Sequence, residues 1–250
     1  MQSALFRYVL SLADDQLILG HRLSEWIGKA PILEEELALS NFGLDLIGQA
    51  RLLYQYAGQL DAEGRDEDQL AYLREEREFV NMLMVERPNG DFAVTMLRQY
   101  LYASFMVLYW RALTQSSDQS LADIASKAIP EMEYHQRHSA RWVIRLGQGT
   151  DESARRLRDA HESLSRYVGE FFVATAEEEQ LRDDGIVPDR AVLFEAWQQM
   201  TREVYRQAGL DNDFDVVPQL GGRDGIHSEH LGYILAEMQY LQRTHPGARW

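Results

Sequence analysis

Apolar residues recur every three or four positions along almost the whole chain, and strict alternation is rare, so the chain reads as helix throughout. Only 6 prolines occur in 250 residues, which lets helices of roughly 20 to 30 residues run unbroken. A first helix is predicted over residues 5–27, ended by Gly28 and Pro31. A second runs to about residue 60, with Glu34, Glu35 and Glu36 in its first turn, where the positive end of the helix dipole favours them. After a charged loop over 61–68, a third is expected over 69–86, closed by the turn signal Arg87-Pro88-Asn89-Gly90-Asp91. Residues 92–115 read as a fourth helix. Asp118 caps a fifth over 119–146, kinked at Pro130, and Thr150 caps a sixth over 152–179. A seventh runs from near Asp189 to before Gly209, and a last one covers 228–243 after the irregular stretch 211–225. Short connections and no 30-to-45-residue repeat exclude a solenoid. The expectation is one all-α domain over 1–250, a four-helix bundle with additional helices.

Composition removes several function classes. The absence of cysteine excludes disulfides, thiolate metal sites and cysteine nucleophiles together. A formal charge of -15 argues against a general nucleic-acid binder, whose footprint is basic. No export signal opens the chain and no window approaches the roughly 18 apolar residues of a membrane span, so a cytoplasmic protein is expected.

Chemistry has few places to sit. Asn41, Asp45 and Gln49 fall on one stripe of the second helix, and the small neighbours Ser40, Gly43 and Gly48 permit close approach of another helix. Glu131, His135 and His138 share a face of the fifth helix. Bundles that hold two iron ions use a Glu-x-x-His pair from each of two helices and one further Glu from each of the others. Asp45-Leu46-Ile47-Gly48-Gln49 and Glu131-Met132-Glu133-Tyr134-His135 have the shape of such motifs, but Leu46 and Met132 stand where the glutamates belong and Gln49 replaces one histidine. One imidazole without bridging carboxylates cannot hold an oxygen-activating iron pair. The expectation is therefore no metal, no cofactor and no catalytic residue. Asp45 is expected to pair with His135 and Glu131 with Gln49, while Leu46 and Met132 fill the vacated volume.

Elsewhere, His227 and His230 flank Glu229 at the start of the last helix; a surface ion there would need three or four ligands, and solvated or capping histidines are the plainer reading. Gly221-Gly222-Arg223-Asp224-Gly225 has no strand before it and reads as a flexible loop rather than a phosphate cradle. Tyr100, Tyr102, Phe105, Tyr109 and Trp110 read as core, part of them as interface, because they cover more than one helical face.

Four segments carry a family resemblance: LALSNFGLDLIGQAR, RPNGDFAVTMLRQY, KAIPEMEYHQRHSARW with LGQGT, and GIHSEHLGYILAEMQYLQR with PGARW. They span nearly the whole chain, which resembles the ferritin-like structural C subunits of the phenylacetyl-CoA epoxidase complexes of phenylacetate breakdown. The resemblance implies a non-catalytic subunit that supports a di-iron A subunit of similar fold, with a reductase subunit supplying electrons to the complex. Because a scaffold without chemistry acts only through binding, a homodimer is expected when the chain is alone and a heteromer with the A subunit, and the charge and hydropathy above leave no nucleic-acid or membrane partner expected. The competing readings are an active di-iron oxygenase, opposed by Leu46, Gln49 and Met132, and an unrelated ferritin-like interaction protein.

Overall fold

The computed structural model describes residues 3–248. Among them the chain forms α1 (Ala4–Ser24), α2 (Leu33–Leu60), α3 (Glu67–Tyr72), α4 (Leu83–Glu86), α5 (Phe92–Leu113) and α6 (Gln119–Gly147). After these come α7 (Asp151–Val168), α8 (Ala176–Asp183), α9 (Leu193–Ala208), α10 (Glu229–Met238) and α11 (Tyr240–Thr244), with no strand among the described residues. No helix among them is long and apolar enough to cross a membrane. The chain divides into two compact units, one made of Met1–Pro88 with Gly221–Trp250, the other of Asn89–Leu220.

The first unit is built on an antiparallel hairpin of α1 and α2. Asp14 of α1 lies beside Tyr54 of α2, and Gly20 beside Gly43 and Ile47, so the two helices run in opposite directions. The two glycines let the helices close: a Cβ at Gly20 would sit 2.9 Å from Ile47 Cγ1 and 3.1 Å from the Gly43 carbonyl oxygen. Gly43 thus has the role its sequence context suggests. Gly48 does not, since nothing lies within 4 Å of its missing side chain.

The second unit repeats the plan with α5 and α6. Phe92 packs edge-on to Trp142 at 4.9 Å, and Gln99 meets His135, which again sets the helices antiparallel. α5 is apolar all round and enclosed. Tyr100, Tyr102, Phe105, Tyr109 and Trp110 are all 0% exposed, so the aromatic stripe is core along its whole length. α9 is tied to it by Trp197 Nε1 donating to the Leu101 carbonyl at 3.2 Å and Tyr100 OH donating to the Met200 carbonyl at 3.2 Å.

Three expected helices are broken. In place of one helix over 69–86 stand α3, a 3-10 turn (Glu76–Glu78), an extended stretch and α4; the cause is a set of buried side chains described below. The expected sixth helix ends at Val168. A 3-10 turn (Gly169–Phe172) follows, and Gly169 is pressed so closely by the 211–220 segment that a Cβ would lie 2.5 Å from Pro218 Cβ. Thr175 then caps α8 in a reciprocal box with Glu178, whose carboxylate also accepts from buried Arg190 at 2.6 Å. Arg190 also donates to the Phe171 carbonyl at 3.2 Å, bonding one of the groups that the break frees. The last helix divides at Gln239, whose amide donates to the Arg74 carbonyl at 3.0 Å. α1 stops at Ser24 and a turn covers the rest of its expected length.

Gly20→Val should destabilise the protein by about 2 kcal/mol, because the α1–α2 contact leaves no room for a branched side chain. Gly48→Ala should leave stability unchanged or raise it slightly through helix propensity. Denaturant midpoints of the two variants check both.

Candidate functional site

The degenerate metal motifs lie at the middle of the two hairpins. In α2, Leu46 is fully buried, Gln49 is nearly so, Asp45 is half-buried and Asn41 is exposed. The Asn41–Asp45–Gln49 stripe therefore drifts from water into the core, as steps of four must on a helix of 3.6 residues per turn. In α6, Met132 and His135 are fully buried while Glu131 and His138 are half-buried, His138 beside the Tyr134 ring. Asp45 and Gln49 belong to the first unit and Glu131 and His135 to the second, so neither expected cross-pair is a contact within a unit.

Within its own unit His135 has a partner that sequence reasoning missed. Gln99 of α5, 0% exposed, brings its amide Nε2 to 3.2 Å from His135 Nδ1. The two groups are within hydrogen-bond reach, and which of them donates depends on the His135 tautomer and the orientation of the amide. The first unit offers a parallel. The register that puts Asp14 beside Tyr54 and Gly20 beside Gly43 places Gln16 of α1 level with Gln49, and Gln16 is 0% exposed with neither amide atom hydrogen-bonded. Each hairpin thus carries a buried amide on the helix that faces the motif segment. A glutamine among leucines is visible in LADDQLILG and LRQYLYASF, and that was the signal available in the sequence.

The larger buried polar assembly is in the first unit, around Asp14 and Asp15, both 0% exposed in the middle of α1. The Asp14 carboxylate accepts from Tyr54 OH at 2.5 Å, from the Val80 backbone N–H at 2.9 Å and from both terminal nitrogens of Arg74. Burial, and then the Asp14 charge, hold the Tyr54 phenol well above its ordinary pKa. Asp15 accepts from the Met82 N–H at 2.7 Å and from Arg223 Nη2 at 2.6 Å. Arg223 also donates to the carbonyls of Val80 and Ser11. It comes from the glycine loop expected to be flexible, which is instead wedged into the core. A Cβ at Gly222 would be 2.1 Å from the Asn81 carbonyl oxygen, and Gly225 has φ 71°.

His227 completes the assembly. Its Nδ1 lies 2.8 Å from Glu86 Oε2 and its Nε2 2.8 Å from the Phe79 carbonyl. Both partners are acceptors, so both nitrogens carry protons and the ring is an imidazolium. Burial pulls its pKa down, but the hydrogen bond and charge of Glu86, with the Phe79 carbonyl and the Asp14 charge, together outweigh it, and the net shift is upward. With both nitrogens committed, His227 has no lone pair to share with His230, so a joint ion site is not what this geometry offers.

Taken together, these features define an all-α, ferritin-like protein whose central helices bury amides and apolar side chains. The chain belongs to the phenylacetic acid catabolic protein family, whose family model matches residues 1–250. It is 46% identical over 243 residues to the C subunit of the 1,2-phenylacetyl-CoA epoxidase of Escherichia coli strain K12, covering 97% of this chain and 98% of that protein. The family resemblance read from the sequence is thereby confirmed.

Asp14→Ala should cost about 3–5 kcal/mol, because it leaves the Arg74 guanidinium buried without its counter-charge; urea denaturation reads the loss. The His227 contribution has the opposite pH sense to a carboxylate. A folded-state pKa above the unfolded 6.5 means stability present in full below that value and lost as pH rises through the folded value. The stability gap between wild type and His227→Ala should therefore narrow with rising pH in denaturant titrations; a gap that widens would contradict the imidazolium assignment.

Proposed function

We propose that this chain is the non-catalytic structural subunit of a multicomponent phenylacetyl-CoA 1,2-epoxidase. It binds and supports a di-iron A subunit of similar fold, while a reductase subunit delivers electrons to the complex. In this reading residues 1–250 serve as one ferritin-like domain, cytoplasmic, homodimeric when alone and heteromeric with the A subunit.

The observation that carries the proposal is the donor set. Leu46 and Met132, both buried, have no oxygen to offer, Gln49 stands where the motif has an imidazole, and Nδ1 of His135 is engaged by Gln99. These residues do not fit a carboxylate-bridged iron pair, which needs charged oxygen donors and two imidazoles. The 46% identity to the C subunit of an epoxidase supplies the biochemical context. A subunit without its own chemistry acts only through binding, so its interface with the A subunit should exceed roughly 1,000 Å².

The purified chain should contain less than stoichiometric iron and lack oxo-bridged absorption. Added to an A subunit, it should co-elute with it and raise phenylacetyl-CoA epoxidation above that of the A subunit with reductase alone. Two irons per chain, or no association with the A subunit in sizing and cross-linking, would overturn the reading.

A further inference from the structure

Between Glu34 and Arg51 the exposed residues of α2 are Glu34, Leu37, Asn41, Leu44, Gly48 and Arg51, separated by alternating steps of three and four. That spacing is a single heptad seam, the kind of stripe along which two helices pack. Its content is unusual for a water-facing stripe. Leu37 and Leu44 are 58% and 67% exposed, and Ile32 and Leu33, 50% and 67% exposed, extend the apolar strip at its N-terminal end. No lysine falls on it, and the space above Gly48 is open.

The seam is complementary to itself. Glu34 and Arg51 lie equally far from the midpoint between residues 42 and 43, as do Leu37 and Gly48, and Asn41 and Leu44. Laid antiparallel against a second α2, Leu37 enters the open space over Gly48, Leu44 covers Asn41, and Glu34 meets Arg51. A two-fold axis makes each pairing occur twice. The contact is about 25 Å long at roughly 1.5 Å of rise per residue. A parallel alignment would instead stack Glu34 on Glu34 and Arg51 on Arg51. Arg51 keeps its Nε on Glu67 while 68% of its side chain faces water, so the guanidinium can take a second carboxylate. What favours a second copy is the content of the matched positions, opposite charges at Glu34 and Arg51 and a leucine opposite the open space at Gly48.

We propose that a second copy of this chain docks antiparallel along the Glu34–Arg51 seam of α2. The proposal supplies the surface for the self-association proposed above and rests on it; the rest of that reading does not depend on this seam. It is tested by sedimentation equilibrium of the full chain at low micromolar concentration, with thermal unfolding as a control for folding. The wild type should be a dimer. Leu44→Glu should weaken dimerisation at least tenfold at unchanged unfolding temperature, because Leu44 is already mostly in water. Glu34→Arg and Arg51→Glu should each weaken it several-fold, and the double swap should restore it, since only an antiparallel self-contact opposes these two positions. A monomeric wild type, a dimer indifferent to Leu44→Glu, or a double swap no better than the singles would overturn the proposal. So would a Leu44→Glu chain that still dimerises but no longer captures the A subunit, which would give the seam to that partner. Iron analysis of the same samples is a separate readout: two irons per chain would end the structural-subunit reading without touching the seam, and a lost seam leaves the iron result standing.

Discussion

Two adjacent carboxylates in the middle of an apolar helix organise the first unit. Asp14 and Asp15 are fully enclosed, and a buried charge is tolerated only when it is paired and its remaining lone pairs are bonded. Arg74 and Arg223 answer the two acids, and the N–H groups of Val80 and Met82 complete them. Those two N–H groups are then unavailable to a helix. This is why residues 73–82 run as turns and extended chain even though their apolar spacing suits a helix. The carbonyls left over are collected by side chains: Leu70 and Glu78 by Arg74, Val80 by Arg223, and Phe79 by His227. Because Arg223 and His227 lie far along the chain, the same assembly draws the segment around residues 221–238 back to the N-terminal hairpin.

The second unit solves a different problem. Its central helix is hydrophobic on every side and is enclosed by packing, with Phe105, Phe171 and Phe172 in mutual ring contact and Arg190 over the Tyr109 ring at 4.7 Å. The buried imidazole of His135 meets the Gln99 amide of the facing helix. An amide can bond an imidazole in either direction without adding net charge to an apolar core, whereas a carboxylate there would demand a counter-ion. Gln99 thus partners the histidine while Met132 fills volume beside it in the sequence.

How far the sequence could be read follows from the range of the forces involved. α1, α2, α5 and α6 were legible because each shows a long apolar rhythm with local signals at its ends. Asp118 bonds Leu121 N and Thr150 bonds Ser153 N as their positions suggest. That Leu46, Gln49 and Met132 carry neither carboxylate nor imidazole was equally legible, since side-chain chemistry needs no coordinates to be seen. The breaks near 73–82, 169–175 and 239 were not, because each is imposed by residues distant in sequence: Asp14 and Asp15, Pro218 and Arg190, and the Arg74 carbonyl.

The sequence by itself determined the class of fold, the long helices and their caps, because periodicity and capping are local properties. The tertiary structure alone decided where the helices break, that Gln99 is the partner of His135 within its unit, and that His227 is charged and buried rather than solvated. It also decided that Arg223 leaves its loop to enter the core. Each of these depends on a partner brought close by folding, and the cost of leaving a buried polar group unsatisfied selects the arrangement.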